Sequence, residues 1–182
     1  SWDFDLTVQV VTAGQGVRRL VPAPGGDAHA FGTDGIEMAW LEGIGRDRQN
    51  SPADGNIFTT NELYTAPYTT DPARVQRRLV GRLPDLRTVS SGALGDGYYL
   101  YPSSNPWPQP FSITVVRLRD GAYWRLHPGE GFEWTPGAPV WIGHGEIALG
   151  RSFLVAPQRG ELRSLQRIRL DALGTPDGVL PR

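Results

Sequence analysis

Three segments of this chain share one pattern, and this repetition limits the possible folds more than any single residue does. Each segment is a short apolar stretch, a turn that ends in glycine, and a second hydrophobic stretch. The copies are residues 30–43, 92–104 and 140–152, with turn glycines Gly35, Gly97 and Gly145. A turn of the Asp-Gly kind between two apolar runs predicts a β-hairpin, because glycine accepts the positive φ that tight hairpin turns need.

A second element alternates with the first along the chain. It is a strand-like run, a polar turn and a run that ends in Arg-Leu. The copies are residues 7–22, 63–81 and 113–128, with Arg19, Arg78 and Arg125, and a degenerate fourth copy at 165–181. Together the two elements make a unit of four short strands in roughly 45–60 residues, which is typical of one β-propeller blade. One blade cannot bury both of its faces, so blades stack and bury one another.

We therefore predict an all-β fold made of antiparallel four-stranded blades of a partial β-propeller. The predicted units are residues 27–83, 84–136 and 137–182, preceded by a half unit at 1–26. Closed propellers have about 4–8 blades, so we expect a fragment of a longer propeller, with further blades of the same chain. The alternative is a β-sandwich or an open sheet built from the same hairpins. Helical periodicity is weak and is confined to residues 71–79 and 160–173.

The hairpins resemble the repeats of bacterial TolB-type (WD40-like) β-propellers. That repeat pairs a turn of the Ser-Pro-Asp-Gly kind with a later strand that ends in Arg-Leu-Thr. Residues 32–35, 94–97 and 142–145 match the first feature, and Arg19-Leu20-Val21 matches the second. The three turns here lack the proline. The resemblance implies a binding or scaffold module and favours a periplasmic, envelope-associated or secreted location.

Composition excludes several classes of function. The net charge is −1, and the 18 basic residues, all arginine, are scattered, so the chain lacks the basic surface of a nucleic-acid-binding protein. The absence of cysteine excludes disulfides and thiolate metal sites. No apolar run reaches the roughly 20 residues that a transmembrane helix needs.

Catalytic patterns are weak, so we predict no catalytic residues, no cofactor and no metal site. The three histidines lack metal-ligand spacing, and there is no Gly-x-Ser-x-Gly elbow. The close carboxylates of Glu37 and Glu42, or of Glu130 and Glu133, would suit glycoside chemistry only if they converged on a cleft, and we interpret them as solvated. The chain is therefore more consistent with a binding module than with an enzyme. The alternative is the accessory propeller of a hydrolase whose catalytic domain is absent from this chain.

Two long loops interrupt the repeats, and loops of this kind often carry function. The first spans residues 43–61. Asp47, Asp54 and Asn56, with Glu62 directly after the loop, could offer oxygen ligands to Ca²⁺, which leaves ion binding open. The second spans residues 102–111. We predict that a protein, peptide or glycan partner contacts four residues of these loops: Arg46, Asp47, Arg48 and Trp107.

Other aromatic residues fit a core. Trp124, Trp134 and Trp141 lie in or beside predicted strands, and we predict that they are buried. The tyrosines of residues 98–101 occupy the same position in the repeat as aliphatic residues in the sister hairpins. We therefore predict that they pack between blades.

Overall fold

The computed structural model describes residues 9–12, 16–19, 27–46, 58–83, 88–89, 92–104, 112–134, 140–153 and 164–182. Within these ranges the regular structure is β-strand, apart from two short 3-10 turns at Pro72–Arg74 and Leu170–Ala172. The strands, in chain order, are β1 (Gln9–Thr12), β2 (Gly16–Arg19), β3 (Asp27–Thr33), β4 (Glu37–Arg46), β5 (Phe58–Pro67), β6 (Arg78–Leu83), β7 (Thr88–Val89), β8 (Ala93–Gly95), β9 (Tyr98–Ser104), β10 (Ser112–Arg117), β11 (Ala122–Leu126), β12 (Phe132–Trp134), β13 (Val140–Gly143), β14 (Glu146–Phe153), β15 (Ser164–Arg169) and β16 (Gly178–Val179).

These strands form one separate hairpin, β1–β2, and three larger antiparallel sheets. Sheet I has the order β3-β4-β5-β6. In sheet II both β7 and β8 pair with β9, and the order continues through β10, β11 and β16. In sheet III both β12 and β13 pair with one edge of β14, and β15 pairs with the other. The prediction of an all-β antiparallel fold is confirmed.

The predicted glycine turns join the strands as expected. Gly35, Gly97 and Gly145 follow β3, β8 and β13, and their φ angles are 86°, 74° and 76°. Asp96 and His144 precede two of these glycines and also have positive φ. A type I′ hairpin turn requires positive φ at two consecutive residues. Its twist matches that of the flanking strands, so it is favoured in tight hairpins.

The prediction of a hairpin over residues 165–181 is wrong. After β15 the chain makes a 3-10 turn and crosses to sheet II, where β16 pairs with β11 instead of β15. This position lets Leu180 bury its side chain, 4% exposed, in the core between sheets I and II. The gain in buried apolar surface accounts for the crossing.

The three sheets stack in chain order, with an apolar core in each interval. The core between sheets I and II includes Leu41, Leu63, Tyr99, Tyr101 and Val116. The core between sheets II and III contains a second set: Leu100, Ile113, Val115, Trp124, Trp134, Ile142, Ile147 and Leu149. Strands of sheet II are therefore apolar on both faces, because both faces are covered. The predicted burial of Tyr99 and Tyr101 between sheets is confirmed.

Strand β8 of sheet II lies close to β3 of sheet I and to β13 of sheet III. A Cβ atom at Gly32 of β3 would lie 3.1 Å from the backbone nitrogen of Leu94 in β8. A Cβ atom at Gly95 of β8 would lie 2.9 Å from the carbonyl carbon of Ile142 in β13. Glycine at these two positions therefore allows β3, β8 and β13 to converge.

Candidate functional site

The converging strands β3, β8 and β13 line a cavity of about 660 Å³. Its lining includes several glycines and a set of larger residues, among them Phe31, Thr33, Asp34, Ile36, Asp96, Trp141 and His144. Ile36 is 78% exposed, so it lies at the mouth of the cavity. A concave surface with a few polar groups and exposed apolar side chains is the usual form of a ligand site.

The turns at this end of the sheets are held by side-chain hydrogen bonds. Asp34 accepts hydrogen bonds from the backbone N–H groups of Ile36 and Glu37, at 2.9 and 2.8 Å. Asp96 accepts one from the N–H of Gly145 in the next sheet, at 2.7 Å. The bond from Asp96 joins the turns of sheets II and III, so the surface made by these turns is positioned by contacts between sheets as well as within them.

Trp141 is the largest exposed aromatic side chain among the described residues, with 46% of its surface exposed. Its six-membered ring lies over Gly143, where a Cβ atom would be 3.0 Å from Cζ2 and 3.5 Å from Cε2 and Cη2. The ring of His144 lies 6.0 Å away between centroids. The prediction that Trp141 is core is wrong, whereas Trp124 and Trp134 are buried as predicted.

Strand alternation explains the exposure of Trp141. Ile142 and Ile147 point into the core with sheet II, so Trp141 points away from it. We call this side the outward face of sheet III; the side chains on it are Trp141, Glu146, Ala148, Leu165, Arg167 and Arg169.

A second cavity, of about 570 Å³, lies beside the first at the same end of the molecule. Its lining includes Tyr98, Glu146, Arg169 and Asp171, and His144 lines both cavities. His144 therefore stands between an apolar-aromatic region and a region of paired charges. An extended ligand could contact both.

Sheet I holds a pair of buried carboxylates that could resemble a catalytic pair. Glu42 and Glu62 are cross-strand neighbours on β4 and β5. Glu42, 5% exposed, accepts hydrogen bonds from the Arg77 guanidinium at 2.6 and 2.7 Å and from the Trp40 indole at 3.0 Å. The interpretation of Glu42 as solvated is therefore wrong. The hydrogen bonds to Glu42 raise the pKa of Arg77. The carboxylate of Glu42 is therefore paired with a guanidinium directly before β6.

Most of the loop residues that we predicted to contact a partner lie outside the residues that the structure describes. Arg46 ends β4, and only its main chain is described. Asp47, Arg48 and Trp107 lie outside the described residues. Contact of these four residues with a partner stays a prediction. The turn residues and Trp141 were not predicted as a site, although the repeat alignment could have indicated that their turns share one end.

The described part of the chain contains no group of three or more His, Asp or Glu residues placed to hold a metal ion. It also contains no helix long and apolar enough to cross a membrane.

Comparison of the whole chain with protein families, with curated proteins and with solved structures found no match. The resemblance to TolB-type repeats therefore rests on the hairpin motifs alone.

Proposed function

We propose that the three sheets are consecutive blades of an incomplete β-propeller of the TolB type, and that the chain is a non-catalytic binding module. Propeller blades are four-stranded antiparallel sheets packed radially around a central channel. Two features support this arrangement. The sheets stack in chain order, and one strand from each sheet (β3, β8 and β13) lines a shared cavity.

The observation that carries the binding role is the cavity between β3, β8 and β13. Its mouth exposes Ile36 and Trp141 beside the polar groups of Asp34, Asp96 and His144. Exposed apolar side chains on a surface fixed by hydrogen bonds favour binding, because little conformational entropy is lost when a ligand docks. The partner would be a protein, a peptide or a glycan held at this end of the sheets.

The test is to screen the full chain against a phage-displayed peptide library and an immobilised glycan array. The affinity of each selected ligand is then measured with the Ile36→Asp variant by calorimetry. We expect binding to weaken by roughly tenfold or more, because a charge replaces an apolar contact at the mouth.

The matched control is Val179→Asp. Val179 is 63% exposed, and its strand β16 lies on the far edge of sheet II, away from the cavity. Its affinity for the ligand should equal that of the unmodified chain. Failure to select any ligand, or equal binding by both variants, would contradict a binding role for the cavity.

Two parts of the proposal rest on the resemblance alone. They are the envelope-associated, periplasmic or secreted location, and the alternative in which the chain is an accessory domain of a hydrolase. Sequencing the gene on both sides of this segment separates the two functions, since an adjacent hydrolase domain would favour the alternative.

A further inference from the structure

We propose that the outward face of sheet III binds a neutral, β-linked glycan, with Trp141 as the platform on which a sugar ring stacks. This inference rests on the proposed binding function and names its ligand class. Four observations carry it: the flat seating of the Trp141 ring, its exposure, the paired charges beside it, and the departure of this face from the equivalent face of sheet II.

The ring of Trp141 is presented in the geometry that stacking requires. Three atoms of its six-membered ring lie at similar short distances from the position that a Cβ of residue 143 would occupy. One face of the ring is therefore supported by the backbone of Gly143, and 46% of the side chain stays exposed. A supported, exposed aromatic ring binds flat apolar surfaces through its π face.

Two charge-balanced pairs lie on or beside the same face of sheet III as the ring. Nε of Arg167 donates to Glu146 at 3.0 Å, and Nε of Arg169 donates to Asp171 at 3.0 Å. In each pair the charges cancel, yet both groups keep further donor or acceptor capacity. Because each pair is neutral overall, it attracts an ionic ligand less than an unpaired charge would, and its remaining donors and acceptors can bind hydroxyl groups.

The equivalent face of sheet II differs in a way that favours a polar ligand. Ala148 follows the turn glycine Gly145 at the same spacing as Leu100 follows Gly97. Arg167 pairs with Ala148 as Val115 pairs with Leu100, so these two pairs occupy equivalent positions in sheets III and II. Leu100 and Val115 are fully buried against sheet III. Ala148 and Arg167 are small or charged, so at these two positions the outward face of sheet III lacks the large apolar side chains of sheet II, and it exposes Trp141 and Leu165.

These features together specify a glycan more closely than a peptide. In β-1,4-linked gluco-configured sugars the ring substituents are equatorial. Each ring therefore has an apolar C–H face for stacking and a rim of hydroxyl groups. Trp141 and Arg167 lie in one cross-strand row, with Ala148 between them on the middle strand. A neighbouring sugar unit would lie over this small residue and reach the paired charges.

The experiment is calorimetry of the full chain with two probes, the β-1,4-linked hexasaccharides of glucose and of N-acetylglucosamine. We expect at least one probe to bind. Trp141→Ala should weaken that binding by roughly tenfold or more, and Trp141→Phe should weaken it less. Gly143→Ala should also weaken it, because the added methyl group displaces the ring while the tryptophan remains.

Tyr68→Ala is the matched control. Tyr68 is an exposed aromatic residue directly after β5 and does not line the cavity. This substitution should leave the affinity unchanged. A ¹H–¹⁵N spectrum gives a second readout, since the indole signal that disappears in Trp141→Ala should be the one that shifts when the probe binds.

Absence of binding by both hexasaccharides would overturn the inference, and so would equal binding by Trp141→Ala. If the chain binds peptides, Ile36→Asp weakens that binding and neither glycan binds, the proposed binding function stands. The assignment of the ligand as a glycan is then wrong. If neither peptides nor glycans bind, both proposals fail.

Discussion

Glu62 shows how single residues hold a charge inside sheet I. Its side chain is 9% exposed. It accepts hydrogen bonds from the Tyr64 hydroxyl at 2.6 Å and from Nε of Arg82 at 3.0 Å. Burial alone would raise the pKa of Glu62, but the bonds from Tyr64 and Arg82 and the charges of Arg82 and Arg77 outweigh burial and lower it. Burial, together with the hydrogen bond to Glu62, raises the pKa of Tyr64 to about 12.

The lowered pKa of Glu62 predicts acid sensitivity. A carboxyl group with a lower pKa in the folded state contributes stability above its unfolded pKa, near 4.5, and this contribution is lost as the pH falls through the folded value. We expect Glu62→Gln to lower the free energy of unfolding by about 1.5 kcal/mol at pH 7. Below pH 4 the difference from the unmodified chain should shrink. Urea unfolding at several pH values measures both.

Glu130→Gln is the control, because Glu130 is exposed. It should change stability little at any pH. A constant difference between Glu62→Gln and the unmodified chain from pH 7 to pH 3 would contradict a role for the ionised carboxylate.

At the scale of elements, the hairpins depend on two different uses of glycine. Gly97 supplies the positive φ of the turn between β8 and β9, and a Cβ atom there would meet nothing within 4 Å. Gly95 is instead needed for space, because a Cβ atom there would overlap the carbonyl group of Ile142 in β13. The sequence shows two glycines in one motif, and their roles differ because only Gly95 faces another sheet.

This difference predicts opposite tolerance at the two positions. Gly95→Ala should destabilise the chain by about 2 kcal/mol, because β8 and β13 must separate to admit the methyl group. Gly97→Asn should cost roughly 0.5 kcal/mol or less, since asparagine tolerates the left-handed region. Chemical unfolding of both variants measures the two costs. Similar costs at the two positions would contradict the close approach of β8 and β13.

At the scale of the whole molecule, the C-terminal segment of residues 174–182 ties the sheets together. The Trp124 indole donates to the carbonyl of Gly174 at 3.1 Å, and the backbone N–H of Arg125 donates to the Asp177 carboxylate at 2.6 Å. Further along, the N–H of Arg82 in sheet I donates to the carbonyl of Pro181 at 2.6 Å. The segment therefore crosses the edge of sheet II and reaches sheet I.

Leu180 is the apolar anchor of this segment. Leu180→Ala should lower the free energy of unfolding by about 3 kcal/mol, because it leaves a cavity between sheets I and II. Val179→Ala, at the neighbouring exposed position, should change it by roughly 0.5 kcal/mol or less. Thermal and urea unfolding measure the difference, and equal small effects would show that the segment is not docked in solution.

Local patterns carry much of this fold. Alternating apolar residues and Asp-Gly-type turns determined an antiparallel all-β chain and the positions of its hairpins, because both depend on residues close in sequence. The burial of Trp124, Trp134, Tyr99 and Tyr101 followed from the same patterns. Alternation of apolar and polar residues indicates which face of a strand a side chain occupies. It does not indicate whether another sheet covers that face.

The tertiary structure decided what lies beyond each strand. Trp124 and Trp141 both lie in strands of apolar character. Among the sheets that the structure describes, one covers Trp124 and none covers Trp141, so of these two residues Trp141 is the exposed one. The pairing of β16 with sheet II and the meeting of β3, β8 and β13 are also contacts between residues distant in sequence. Such contacts depend on how whole sheets pack, so the candidate site at Trp141 became visible only when the sheets were stacked.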